Sequence, residues 1–107
     1  MNVESSSTQT ATIGTEHTLA NPSTAKTRVL IVDVSNLAAT EVVELRVKAP
    51  VLAAGTTQLI KLVTFTGTVS EPHTQSPPFV MPQGGTFTLK QTSGTGRQFP
   101  WAVLTLD

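Results

Sequence analysis

The side chains best able to act as a general base or to ligate a metal are two histidines, His17 and His73, and seven acids. Each histidine has an acid nearby, Glu16 and Glu71. Metal sites built on one strand or helix space their ligands as H-x-H, H-x-x-x-H or E-x-x-H. None of these spacings occurs, so both histidines read as exposed structural residues. Asp33, Glu41 and Glu44 lie close in sequence. Two carboxylates converging across a cleft can run glycoside hydrolysis. Glu44, however, alternates with Arg46 and Lys48, the pattern of a solvated charge ladder on one strand face. Asp33 interrupts an apolar run just before Ser35-Asn36, where a carboxylate is expected to cap the turn. The glycines of Ser93-Gly94-Thr95-Gly96-Arg97 could cradle a phosphate, but neither a Walker pattern nor G-x-G-x-x-G is present. They read as a hairpin loop in which glycine supplies positive φ. With no cysteine there is no disulfide, thiol nucleophile or Cys-ligated zinc. No catalytic, cofactor-binding or metal residue is assigned, and no enzyme is expected.

The elements that must position these side chains belong to one small domain. The chain has 107 residues, seven Lys+Arg, seven Asp+Glu and a formal net charge of zero. Only 13% of residues are charged, about half the usual 25%, while 19 Thr and 8 Ser supply hydroxyls instead. The basic residues are scattered, against the clustered cations a nucleic-acid binder needs. No apolar run approaches the roughly 18 residues of a membrane span. The polar start, Met1 to Thr12, has no apolar core and does not read as a signal peptide. The protein is expected to stay where it is made or to leave by lysis or assembly. Surface scaling for this mass gives about 5,700 Å² for the folded chain, enough for one modest core.

Turn signals recur at short spacing with β-branched runs between them: Asn21-Pro22-Ser23, Ser35-Asn36, Ala54-Gly55, Gly84-Gly85 and Ser93–Gly96. That punctuation predicts an all-β fold: a single antiparallel β-sandwich of about seven or eight strands. Val43, Leu45, Val47, Ala49 and Val51 share one parity, and Glu44, Arg46, Lys48 and Pro50 the other. The first set is expected in the core. Phe87 and Leu89 point in by the same rule, with Thr86, Thr88 and Lys90 out. Leu37–Leu45 contains good helix formers, yet the unbroken alternation after Val43 favours a turn followed by a strand. Val29–Val32 and Leu59–Phe65 are apolar on both parities; such strands are covered on both faces, by a second protein for example, or twisted by a bulge.

Residues 1–9 have almost nothing to bury and read as a flexible N-terminal arm, with residues 10–107 as the sandwich. Glu71–Pro82 carries four prolines in twelve residues, which forbids a continuous ladder. It reads as a stiff extended connection whose apolar end either folds back over the sandwich or protrudes as a contact loop. Asn2, Val3, Pro77, Pro78, Phe79, Val80 and Met81 are the candidate protein-contact residues. Trp101 alternates with Phe99 and Val103 and is expected in the core rather than on a sugar-stacking platform. Pro100 between them fits an edge strand or a bulge.

The stretch Phe87-Thr-Leu-Lys-Gln-Thr-Ser-Gly-Thr-Gly-Arg-Gln-Phe-Pro-Trp101-Ala-Val-Leu resembles the closing hairpin of small β-sandwich proteins encoded by tailed bacteriophages. Asp33-Val-Ser-Asn-Leu37 and Glu41-Val-Val-Glu-Leu-Arg-Val47 are similar to their central strands. The family so indicated is the capsid cement, or decoration, proteins of double-stranded DNA phages, over about residues 28–104. The resemblance implies a jelly-roll-like sandwich with no catalytic residues. It implies binding to assembled major capsid protein on the outer surface of a virion, after synthesis in the host cytoplasm, commonly as dimers or trimers. A tail or fibre adaptor of a virion is the alternative, and a carbohydrate-binding module a more distant one.

Overall fold

The computed structural model describes residues 2–69 and 72–106. Nine strands follow one another: β1 (Asn2–Thr10), β2 (Glu16–Ala20), β3 (Lys26–Asp33), β4 (Val42–Ala49), β5 (Gln58–Thr66), β6 (His73–Gln75), β7 (Phe79–Met81), β8 (Thr86–Ser93) and β9 (Gln98–Thr105). One sheet runs β1-β9-β3-β6, with β7 also on β3, and the other runs β2-β8-β4-β5. Every strand pair is antiparallel. β6 and β7 lie end to end along β3, facing Ile31–Asp33 and Lys26–Arg28. They are one edge strand broken at Pro77-Pro78. Counted so, there are eight strands. The first lies beside the last and the second beside the one before it, which is jelly-roll topology. The accessible surface is 5627 Å², close to the value expected from mass.

Period-two alternation decides which side chains meet between the sheets. From the four-stranded sheet come Val43, Leu45, Val47, Phe87 and Leu89; from the five-stranded sheet come Leu30, Val32, Phe99, Trp101 and Val103. Val34 and Leu37, in the turn before β4, belong to the same cluster. The segment 34–41 is that turn, not a helix, as the alternation predicts. The Ser35 N–H donates to Asp33 Oδ1 at 2.9 Å, the expected cap.

Five expectations need correction. Thr88, expected out, lies on the outer side opposite Arg46 but is only 3% exposed. Residues 2–10 are not a free arm but strand β1, paired along most of β9 from Asn2–Thr105 to Thr10–Gln98. The strand needs no core residues of its own, because its backbone completes a ladder and its Glu4 neutralises a buried arginine. Val51 is 77% exposed instead of buried. Pro50 ends β4, and the hairpin tip runs past the cover of the opposite sheet. Pro100 lies in a strand flanked on both sides, not at an edge. It sits one residue beyond the last β3–β9 pair, Val32–Trp101, so its missing N–H interrupts no bond in that ladder. Met81 is fully buried and Phe79 half-buried against the core. The end of the proline segment folds back as β7 because its alternate side chains find the core.

Candidate interaction surface

The residues whose types could do chemistry are kept apart. Asp33 faces outward from the five-stranded sheet, Glu44 outward from the four-stranded sheet, and Glu41 is buried at the end of the sandwich. The sandwich separates them, so they cannot share a substrate. His17 accepts the Thr12 N–H through Nε2 at 3.0 Å. His73 stands 3.3 Å from Asp33 across β3 and β6 and is 75% exposed. The Ser35 hydroxyl, above all, with the Ser35 N–H and His73, holds the Asp33 carboxyl below the usual range. Glu71 lies outside the described residues. Among the described residues, no three His, Asp or Glu side chains gather where a metal could bind.

The Ser93–Arg97 loop spends its polar groups inward. Gln91 is fully buried and donates through Nε2 to the carbonyls of Ser93 and Thr95, while its Oε1 accepts the Arg97 N–H. Glu41 accepts from the N–H groups of Ala38 and Thr95 and, in a two-pronged pair, from the Arg97 guanidinium. These bonds, the Arg97 one first, lower the Glu41 carboxyl to about 2. Gly94 has φ +89°, and a Cβ there would strike the Glu41 side chain. The loop is a staple between the β3–β4 turn and the β8–β9 hairpin, and its Thr95 and Arg97 amides are not free for a phosphate. Sequence reasoning missed this because residues 41 and 97 are 56 apart, and no local period links them.

Arg28 is the other buried charge. Its guanidinium is bonded by Glu4 at 2.7 and 2.9 Å and by the Thr24 carbonyl and hydroxyl, each at 2.8 Å. The side chain is 0% exposed, and its guanidinium is held by Glu4 and Thr24. Both networks are structural.

What remains is surface, and the two outer faces differ sharply. From the four-stranded sheet project Glu16, Glu44, Arg46, Lys48 and Lys90, with Lys48 2.7 Å from Glu16 and Arg46 2.8 Å from Glu44. From the five-stranded sheet, the described outward strand residues carry no charge except Asp33 and its partner His73. Its face is built from Thr27, Val29 and Ile31 on β3 and from Pro100, Ala102 and Leu104 on β9. The hydroxyls of Ser6 and Thr8 on β1 border it. Val29, Ile31, Pro78, Leu104 and Leu106, with Gln75 and Ser76, line a mostly apolar depression of about 480 Å³.

The candidate contact residues divide on this geometry. Val3, paired with Leu104 and 61% exposed, lies on the charge-poor face. Pro78 borders its depression, and Val80, paired with Thr27, is 77% exposed on the same side. Pro77 is exposed but opens toward the cleft between the sheets. Asn2 pairs with Thr105 on the opposite parity to Val3. Phe79 and Met81 face the core. The inward side of β9 was legible from alternation, but β3 is apolar on both parities, and the continuity of the face required the β1-β9-β3 order. No protein-family model matches the chain, and no curated protein or solved structure does.

Proposed function

We propose that the chain is a structural virion protein that binds and stabilises an assembled capsid, a cement or decoration protein of a tailed double-stranded DNA phage. The observation that carries this reading is the charge-poor outer face of the five-stranded sheet, bounded by Val3, Val80 and Leu106 and bearing one carboxylate, Asp33. Covering such a face with protein dehydrates apolar and hydroxyl groups and only one carboxylate, Asp33, where the opposite face would dehydrate five charges. Exposed contiguous apolar surface of this kind marks protein contact sites. The jelly-roll topology and the sequence resemblance support the same reading. Many copies on a symmetric shell make a modest contact effective through avidity. The partner is the major capsid protein, and the place of action the outer surface of the shell. A sugar-binding reading loses its best platform residue, since Trp101 is 9% exposed.

The test is co-sedimentation of the purified protein with expanded shells that lack it. Binding to shells, with little affinity for free shell protein, is expected. If shells stay bare, the reading fails; binding to tails instead points to the adaptor alternative. Val80→Lys places a charge on the face at a position that is already exposed, so the fold tolerates it. It is expected to weaken shell binding at least tenfold.

A further inference from the structure

The least covered element of the sandwich is β5. It pairs with β4 alone, and its other backbone edge meets no strand among the described residues. Leu59, Ile60 and Leu62 are 50%, 45% and 43% exposed. On its inner side, Val63 and Phe65 border an apolar cleft beside β6, where the opposite sheet is short and broken. Apolar residues on both parities are the pattern of a strand covered on both faces. β5 has that pattern without the cover; the bulge at Ile60, between Lys61 and Leu59, does not hide it.

The other edges are guarded in the ways proteins guard them. The β6–β7 edge is broken by Pro77-Pro78. β2 has five residues and a bulge. β1 is polar apart from Val3 and carries Glu4. β5 has nine residues, no proline and one charge, Lys61.

An edge of unpaired N–H and C=O groups selects an extended backbone as its occupant. We propose that the occupant is β5 of a second copy of this chain, paired antiparallel about a two-fold axis at Leu62. The two four-stranded sheets become one of eight strands. In this register Leu62 faces Leu62 of the second copy and Lys61 faces Val63, and the bulge at Ile60 ends the regular pairing on either side. Inward residues meet inward residues, and no like charges oppose. The neighbouring register centred on Lys61 would set two ammonium groups face to face, which is unfavourable. Two-fold pairing is self-complementary and uses up both edges, so growth stops at the dimer. This inference does not rest on capsid binding; it uses a different surface and is tested without shells.

The experiment is sedimentation velocity on the full chain over a wide concentration range. A reversible dimer is expected. Leu62→Lys and Leu62→Glu, at a side chain that is already exposed, each place like charges at the two-fold axis and are expected to weaken self-association at least tenfold. Circular dichroism checks that each variant is folded. Mixing the two folded variants in equal amounts brings Lys opposite Glu and is expected to restore the dimer. The proposal is overturned if the wild-type chain stays monomeric at millimolar concentration, if it forms trimers, or if both variants dimerise alone as well as the wild type.

Discussion

Glu41 shows how one side chain can be indispensable without being catalytic. Four donated hydrogen bonds hold its carboxylate, and its affinity for a proton falls from the ordinary 4.5 to about 2. Between those values the unfolded chain binds the proton and the folded chain does not. Unfolding therefore takes up protons there, and stability rises with pH. The Glu41 contribution is complete above about pH 4.5 and lost as pH falls toward 2. Acid titration of the melting temperature is expected to fall steeply in that window, and Glu41→Gln to flatten the fall while lowering stability at neutral pH. Next to it, Thr40 has φ 71°, a left-handed conformation unfavourable for a β-branched residue. Thr40→Asn, which tolerates that region, is expected to raise stability by about 1 kcal/mol in chemical denaturation.

At the scale of elements, β1 and β7 carry the corrections. β1 contributes nothing to the buried apolar cluster and still belongs to the fold, because the Arg28 guanidinium beneath it has no route to water. Removing Glu4 leaves that charge buried and half-paired. Glu4→Ala is expected to cost about 2 kcal/mol, less than the 3–5 kcal/mol of a fully enclosed pair because the Glu4 side chain is 26% exposed. The melting temperature should drop by roughly 10 °C. Deleting residues 1–9 should cost at least as much; no change on deletion would return the segment to a dispensable arm. β7 makes a sharper contrast within three residues. Met81→Ser removes a fully buried side chain and should cost about 3 kcal/mol, whereas Val80→Ser should change stability by less than about 0.5 kcal/mol. Paired denaturant melts check both.

At the scale of the molecule, the zero net charge hides a segregation. Five charged strand residues share the outer face of one sheet, and Asp33, beside His73, stands on the other. A charge-poor surface is cheap to dehydrate, and the topology confines this property to one side. Trp101, buried between the sheets, should fluoresce in the blue and resist aqueous quenchers, and a red-shifted, quenchable signal would reopen the stacking-platform reading.

Much of this was legible from local pattern. Phe87 and Leu89 pointed inward on alternation alone, as did Val43 to Ala49, because a strand's side-chain period is two wherever one face is buried. The Asp33 cap was legible because a carboxylate two residues before a turn amide has one natural partner. β1 was not legible, since Ser, Thr and Gln have no strong period and its partner β9 lies at the far end of the chain. Nor was the pairing of Glu41 with Arg97, or of Glu4 with Arg28. The sequence by itself determined the all-β class and the side that β4, β8 and β9 turn inward. The tertiary structure alone decided which strands are neighbours, which edge is left open and where the charges collect. Side-chain alternation is a local property of the backbone, whereas strand order depends on contacts across the whole chain.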